Sequence, residues 1–252
     1  MQNSIFKDWT VSKWLLNIVL IAVCVYALSY SVNFIFAIGY VAMLIVHEIG
    51  HIVAALNYRC EVRFGGFTPF GAYIQIYNHT STKQTAIIAL CGPFFGFLSS
   101  LGFLGLAYVL QDTTYLWLCF FAAVVSVMNL MPLHPFDGGK VICGTFPTFP
   151  LILVPFLGYG VYLTYKSDPD MSYMYIALII YVIWNVWKMK KDSKYKALFR
   201  LDKAMNIQIF SFYIAMIVLL IGLIVVLLET FGSTLWPNFQ EMQIPNFLQG
   251  LF

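Results

Sequence analysis

The sequence predicts an all-α polytopic membrane protein of about seven transmembrane helices, with a short β-hairpin or strand segment at the cytoplasmic interface. Three observations carry that expectation. Of the 252 residues, 61% are hydrophobic and 10% charged, whereas a soluble domain carries roughly a quarter charged residues. Seven apolar stretches approach the roughly 20 residues that a span requires; they fall near 11–30, 33–58, 83–111, 114–132, 148–166, 171–189 and 207–230. With the N-terminus in the cytoplasm, every Lys and Arg except Lys166 falls on the inner side, as cytoplasmic loops require.

The net charge of +3 is spread over those loops, so no nucleic-acid partner is expected. Short loops and the lack of organelle signals point to a multi-pass protein of a bacterial cell membrane.

Three regions follow along the chain. Residues 1–32 form an N-terminal transmembrane anchor. Lys7 and Lys13 precede its apolar run, and Val25-Tyr26-Ala27 is a weak cleavage site, but the run is long and its neighbours bulky, so it is read as retained. Residues 33–145 form a three-helix membrane core. Within it "CEVRFGGFTPFGAYIQIYN", residues 60–78, is punctuated by Gly65, Gly66, Pro69 and Gly71, after which Tyr73, Gln75 and Tyr77 alternate with Ile74 and Ile76. Period two predicts a strand pair. The third span contains "CGPFFGFLSSLGFLG", whose Gly92, Gly96, Gly102 and Gly105 offer close helix approach. The fourth ends in "VMNLMPLHPFDGGKV", where Pro132 and Pro135 break the helix and Gly138-Gly139 frees the chain to turn. Residues 146–252 supply the C-terminal transmembrane helices and a basic cytoplasmic loop, 188–203. The five cysteines lack CxxC spacing and read as small core residues.

The chemistry sits in "MLIVHEIGHIVAAL", residues 43–56. Four residues apart on a helix, His47 and His51 share a face and can converge on one ion, while Glu48 remains able to act on a water. This HExxH arrangement belongs to zinc hydrolases. With four His and four Glu in the chain, shuffling yields it about once in a thousand sequences. A catalytic zinc takes a third protein ligand and leaves its fourth position to water. Of the eleven acidic residues, only Glu48 and Asp137 lie away from termini, loops and segment ends. The second and fourth spans run in the same direction, and their inner ends share one depth. Asp137 is therefore expected as the third ligand.

"HEIGH" together with "NLMPLHPFDGG" resembles the site-2 protease family of intramembrane zinc metalloproteases, whose second motif is an Asn-containing LDG or NPDG segment. The resemblance runs from about Ala37 to Lys140. It implies one Zn2+ per chain on His47, His51 and Asp137, Glu48 as the base, and Asn129 assisting near the reacting centre. The implied reaction is hydrolysis of a peptide bond in or near a membrane-spanning segment, or in a membrane-associated peptide. "TPFGAYIQI" is similar to the family's strand region, and the edge Tyr73–Tyr77 offers an unwound substrate backbone something to pair with.

Two departures stand out. Where the family's GPxxN pattern has asparagine, "GPFFG" has Gly96, so a polar group there is missing or supplied from elsewhere. Phe136 replaces a usual leucine. No PDZ-like insertion or trailing regulatory domain is expected, which leaves substrate selection to the membrane core, its loops or a partner protein.

CAAX-type membrane proteases fit poorly, because their third ligand is a downstream glutamate and Glu229 and Glu241 fall towards the outside. A membrane metal or proton carrier using the same His/Glu/Asp cluster is the alternative from another class. For His134 three readings stand: a ligand, a group holding Asp137 or moving a proton, or an interfacial residue. His79 reads as a loop histidine.

Overall fold

The computed structural model describes residues 9–68, 71–78, 81–165, 169–191 and 203–241. Pro69, His79, Lys166 and the part of the basic loop at 192–202 lie outside the described residues. Helices dominate: α1 (Val11–Ser31), α2 (Phe34–Asn57), α3 (Thr82–Leu110), α4 (Thr113–Asn129), α5 (Asp137–Thr145), α6 (Leu153–Thr164) after a 3-10 turn at Phe149–Ile152, α7 (Pro169–Lys191) and α8 (Lys203–Glu241).

Among the described residues, five helices are long and apolar enough to cross a membrane: Val11–Ser31, Phe34–Asn57, Lys83–Leu110, Pro169–Lys188 and Ala204–Gly232. The fourth and fifth expected spans are shorter apolar helices, Thr113–Asn129 and Phe149–Thr164. At about 1.5 Å per residue, 17 residues reach roughly 25 Å, short of an ~30 Å hydrocarbon core. The chain leaves the helix at Leu130, ahead of Pro132.

The strand pair is present. β1 (Glu61–Thr68) and β2 (Gly71–Tyr77) pair antiparallel, with an irregularity between Phe64 and Gly66. Gly65 is the extra residue, and a Cβ on it would run into the Tyr73 ring. Gly66 has φ +137, a conformation that side chains resist. On β2, Tyr73, Gln75 and Tyr77 are exposed and Ile74 and Ile76 half-buried, as period two requires.

The chain divides into two compact units, with divisions ahead of α3, within α3, at the last residue of α4 and within α8. The first comprises Met1–His79, Cys91–Met128 and Ala215–Phe252. In it Asn33 caps α2 by accepting from the Phe36 amide at 2.7 Å, and its own amide reaches Thr114 Oγ1 at 3.1 Å. Phe36, Trp117 and Leu118 form a buried centre there.

The sole buried residue of α1 is Asn17, and it grips the irregularity in β1. The Phe67 amide donates to Asn17 Oδ1 at 2.5 Å, Asn17 Nδ2 donates to Lys13 O at 2.8 Å, and Trp9 Nε1 donates to Phe64 O at 2.7 Å. The first helix is thus fastened to the hairpin.

The second unit comprises Thr80–Leu90 and Asn129–Ile214. α6 packs on α7, and Phe146, Phe149, Phe210 and Tyr213 form an aromatic cluster. All five cysteines carry thiols.

Two glycine expectations need correction. Gly138 and Gly139 lie inside α5 rather than at a free turn, and a Cβ on either would strike backbone of Leu130, Met131, Leu133 or His134. They supply room, not rotation. Gly102 and Gly105 have nothing within 4 Å of a Cβ, so among the described residues the close approaches on α3 are at Gly92 and Gly96.

Asn17→Ala is expected to weaken the hairpin by about 1–2 kcal/mol, the cost of stranding a part-buried donor. It would be read as faster deuterium exchange at the Phe67 amide with helix content unchanged. Undiminished protection would show that the strand ladder holds itself.

Candidate metal centre

An apolar helix carrying His47, Glu48 and His51 has to hide them, and α2 does. All three are buried, at 5%, 9% and 5% exposure. One α-helical turn separates the histidines, so their rings meet edge to face with centroids 4.9 Å apart and Nε2 atoms 3.2 Å apart. A ligand atom from each of the three residues lies within 4.8 Å of the others.

Two features of α3 make the space. Gly50 of α2 lies directly against the Cys91 carbonyl, so the two backbones touch beside the histidines. One residue on, a Cβ at Gly92 would fall on His51 Nε2 and Cε1 and lie 2.8 Å from His47 Nε2. A side chain there would fill the cradle that both Nε2 atoms face. Two Zn–N bonds of about 2.0–2.1 Å at a tetrahedral angle span about 3.3 Å. Two imidazoles and a carboxylate at this separation, with no side chain at Gly92 to crowd the two Nε2 atoms, fit a zinc ion.

Asp137 and Asn129 belong to the second unit. Asn129 is the last residue of α4. Asp137 opens α5, is buried at 5% exposure, and accepts from Lys140 Nζ at 2.8 Å. The loop between them, Leu130 to Phe136, is held by its backbone. Tyr213 Oη donates to Leu130 O at 2.6 Å, Asn185 Nδ2 donates to His134 O at 3.3 Å, the His134 amide donates to Asn185 Oδ1 at 3.4 Å, and Tyr181 Oη also donates to His134 O. Burial first, and then the charges of Lys140 and Lys188, hold the His134 imidazole below its ordinary pKa, which favours its neutral form.

Sequence reasoning missed Asn185 and Tyr213, both buried. Asn185 carried a signal, as the one amide in the apolar run "YVIWNVW".

Residues 34–114 match the family model for peptidase family M50. The resemblance to the site-2 protease family is borne out by that match, which covers α2, the hairpin and α3 and ends before Asn129 and Asp137. The matched segment is thus similar to peptidase family M50 over about a third of the chain. Among individual proteins, the chain is 23% identical over 104 residues to stage IV sporulation protein FB of Bacillus subtilis (strain 168). That stretch is 40% of this chain and 36% of the relative, so about a third of the relative's length is spanned. The site-2 protease from Methanocaldococcus jannaschii aligns with a TM-score of 0.40 at 17% identity, covering 70% of this chain and 89% of that one.

Gly92→Ala is expected to lower zinc affinity by about tenfold or more while the circular dichroism stays helical. Full zinc loading in that variant would mean that the cradle is not where metal sits.

Proposed function

We propose that the protein is an intramembrane zinc metalloendopeptidase that hydrolyses a peptide bond in or near a membrane-spanning segment, or in a membrane-associated peptide. One observation carries the reading: His47 Nε2 and His51 Nε2 stand 3.2 Å apart behind the Gly92 cradle with Glu48 beside them, inside the segment that matches family M50. His47, His51 and Asp137 are the proposed ligands of one Zn2+ per chain, Glu48 is the proposed base, and Asn129 assists the reacting centre. In support, Asp137 is buried at the first residue of α5, on a loop tied by Tyr213 and Asn185. Seven spans are proposed, with the N-terminus in a bacterial cytoplasm and the core at 33–145.

When bound, zinc would supply the Lewis acidity that makes water a nucleophile near neutral pH. The protein's own part is then proton handling and orientation. A Glu48 carboxylate oxygen takes the proton of the attacking water and later delivers it to the leaving amine. Lys140 holds Asp137 Oδ1, which limits the carboxylate's rotation. Burial of the trio lowers the local dielectric, which strengthens the contacts of Glu48 with the attacking water. A transmembrane helix shields its own peptide bonds, so the substrate must unwind; the β2 edge, Tyr73–Tyr77, would satisfy the exposed backbone by strand addition.

Protein purified in detergent is expected to hold about one zinc per chain, with a clear loss in Asp137→Asn. Glu48→Gln is expected to keep zinc and lose cleavage of a membrane-embedded reporter by about a hundredfold or more. Absence of zinc from the wild type, with chelators avoided, would sink the mechanism. Ile74→Pro is expected to keep zinc and cleave more slowly. Unimpaired turnover would remove the strand-docking step and leave the metal chemistry standing.

A further inference from the structure

The departure at Gly96 has a counterpart on another helix. His47 presents its two ring nitrogens to two glycines one turn apart on α3. A Cβ at Gly92 would lie 2.8 Å from Nε2, and a Cβ at Gly96 would lie 3.6 Å from Nδ1. The ring is therefore aligned along α3, with Nε2 on the cradle side and Nδ1 on the Gly96 side. The space that a residue-96 side chain would occupy holds Ser126 of α4 instead. That Cβ would lie 2.1 Å from Ser126 Oγ and 3.3 Å from Ser126 Cβ. Ser126 is buried at 1% exposure, and its hydroxyl donates to Ala122 O at 2.7 Å. With that hydrogen committed, the oxygen offers its lone pairs as an acceptor.

A metal-bound imidazole ordinarily passes its other N–H to an oxygen acceptor, which fixes the tautomer and the ring plane. We infer that, once zinc is held, Ser126 Oγ becomes that acceptor for His47 Nδ1–H, a bond the structure does not itself contain, and that it takes over from α4 the polar position left empty by Gly96 on α3. Ser126 is thus a positioning residue: it keeps the lone pair of His47 Nε2 aimed into the cradle beside His51. The inference rests on His47 being a zinc ligand. A hydroxyl that only bonds its own helix backbone would have no effect on metal affinity, and this separates the two roles.

The test is zinc affinity by chelator competition on full-length protein in detergent, with the thermal unfolding of each metal-free variant followed alongside. Ser126→Ala is expected to weaken zinc binding by about 10-fold to 100-fold with unfolding little changed. Gly96→Ser alone should bind worse than wild type, because its new Cβ meets Ser126 Oγ. The double variant, Gly96→Ser with Ser126→Ala, should recover most of the affinity, since removing Oγ opens the space and returns a hydroxyl to the Nδ1 side. Wild-type zinc loading with undiminished affinity in Ser126→Ala would overturn the role of Ser126 and leave the protease reading intact. If Ser126→Ala also melts earlier and the double variant does not regain affinity, the effect is packing and the inference falls. A wild type without zinc would remove both readings together.

Discussion

The structure depends on how closely α3 approaches α2. Ionisable side chains in an apolar helix are tolerated when a neighbour shields and uses them. Here the neighbour comes within backbone contact because Gly50 meets the Cys91 carbonyl, and Gly92 leaves the histidines their space. A larger residue at either position would part the helices or fill the gap between the two Nε2 atoms. Two missing side chains therefore shape the centre as much as the three present ones. In an apolar solvent, where burial of aliphatic surface gives little preference for one helix partner over another, small residues and directed hydrogen bonds determine which faces meet.

Much of this was legible in the chain. The HExxH trio could be read because helical period alone brings i and i+4 together, with no long-range contact needed. The hairpin was equally local: alternation in "AYIQIY" gave its faces, whereas the irregularity at Gly65 came only with the structure. The break after Asn129 followed from two prolines. What sequence could not yield depends on partners far along the chain. Gly138 and Gly139 look like hinge residues until the Leu130–Leu133 backbone is seen pressed against them. Ser126 looks like one more small residue in "VVSVMN" until its hydroxyl is found where a residue-96 side chain would lie. Asn185 and Tyr213 act on the backbone of a loop more than fifty residues away, and although Asn185 stands out as a lone amide in an apolar run, nothing local says which loop it holds.

The second unit shows how an irregular segment at an apolar helix end is kept in order. Residues 130–136 have no helical ladder of their own, so their carbonyls need donors. Buried side chains of α7 and α8 supply them at Leu130 and His134, and Asp137 then starts α5 with Lys140 one turn on. The C-terminal helices, which carry none of the motifs of the M50 segment, thereby fix the conformation of the stretch that leads into the conspicuous acidic residue.

The grip of α1 on β1 has a further consequence for the hairpin. A two-stranded sheet has two open sides, each a template for unwanted pairing. Here Trp9 and Asn17 already engage Phe64 O and the Phe67 amide of β1. A strand arriving on that side would have to displace an indole and an amide before it could bond. The β1 side of the sheet is therefore already occupied by contacts from the N-terminal segment. Pairing of two hairpins through β1 would first have to break both of these bonds.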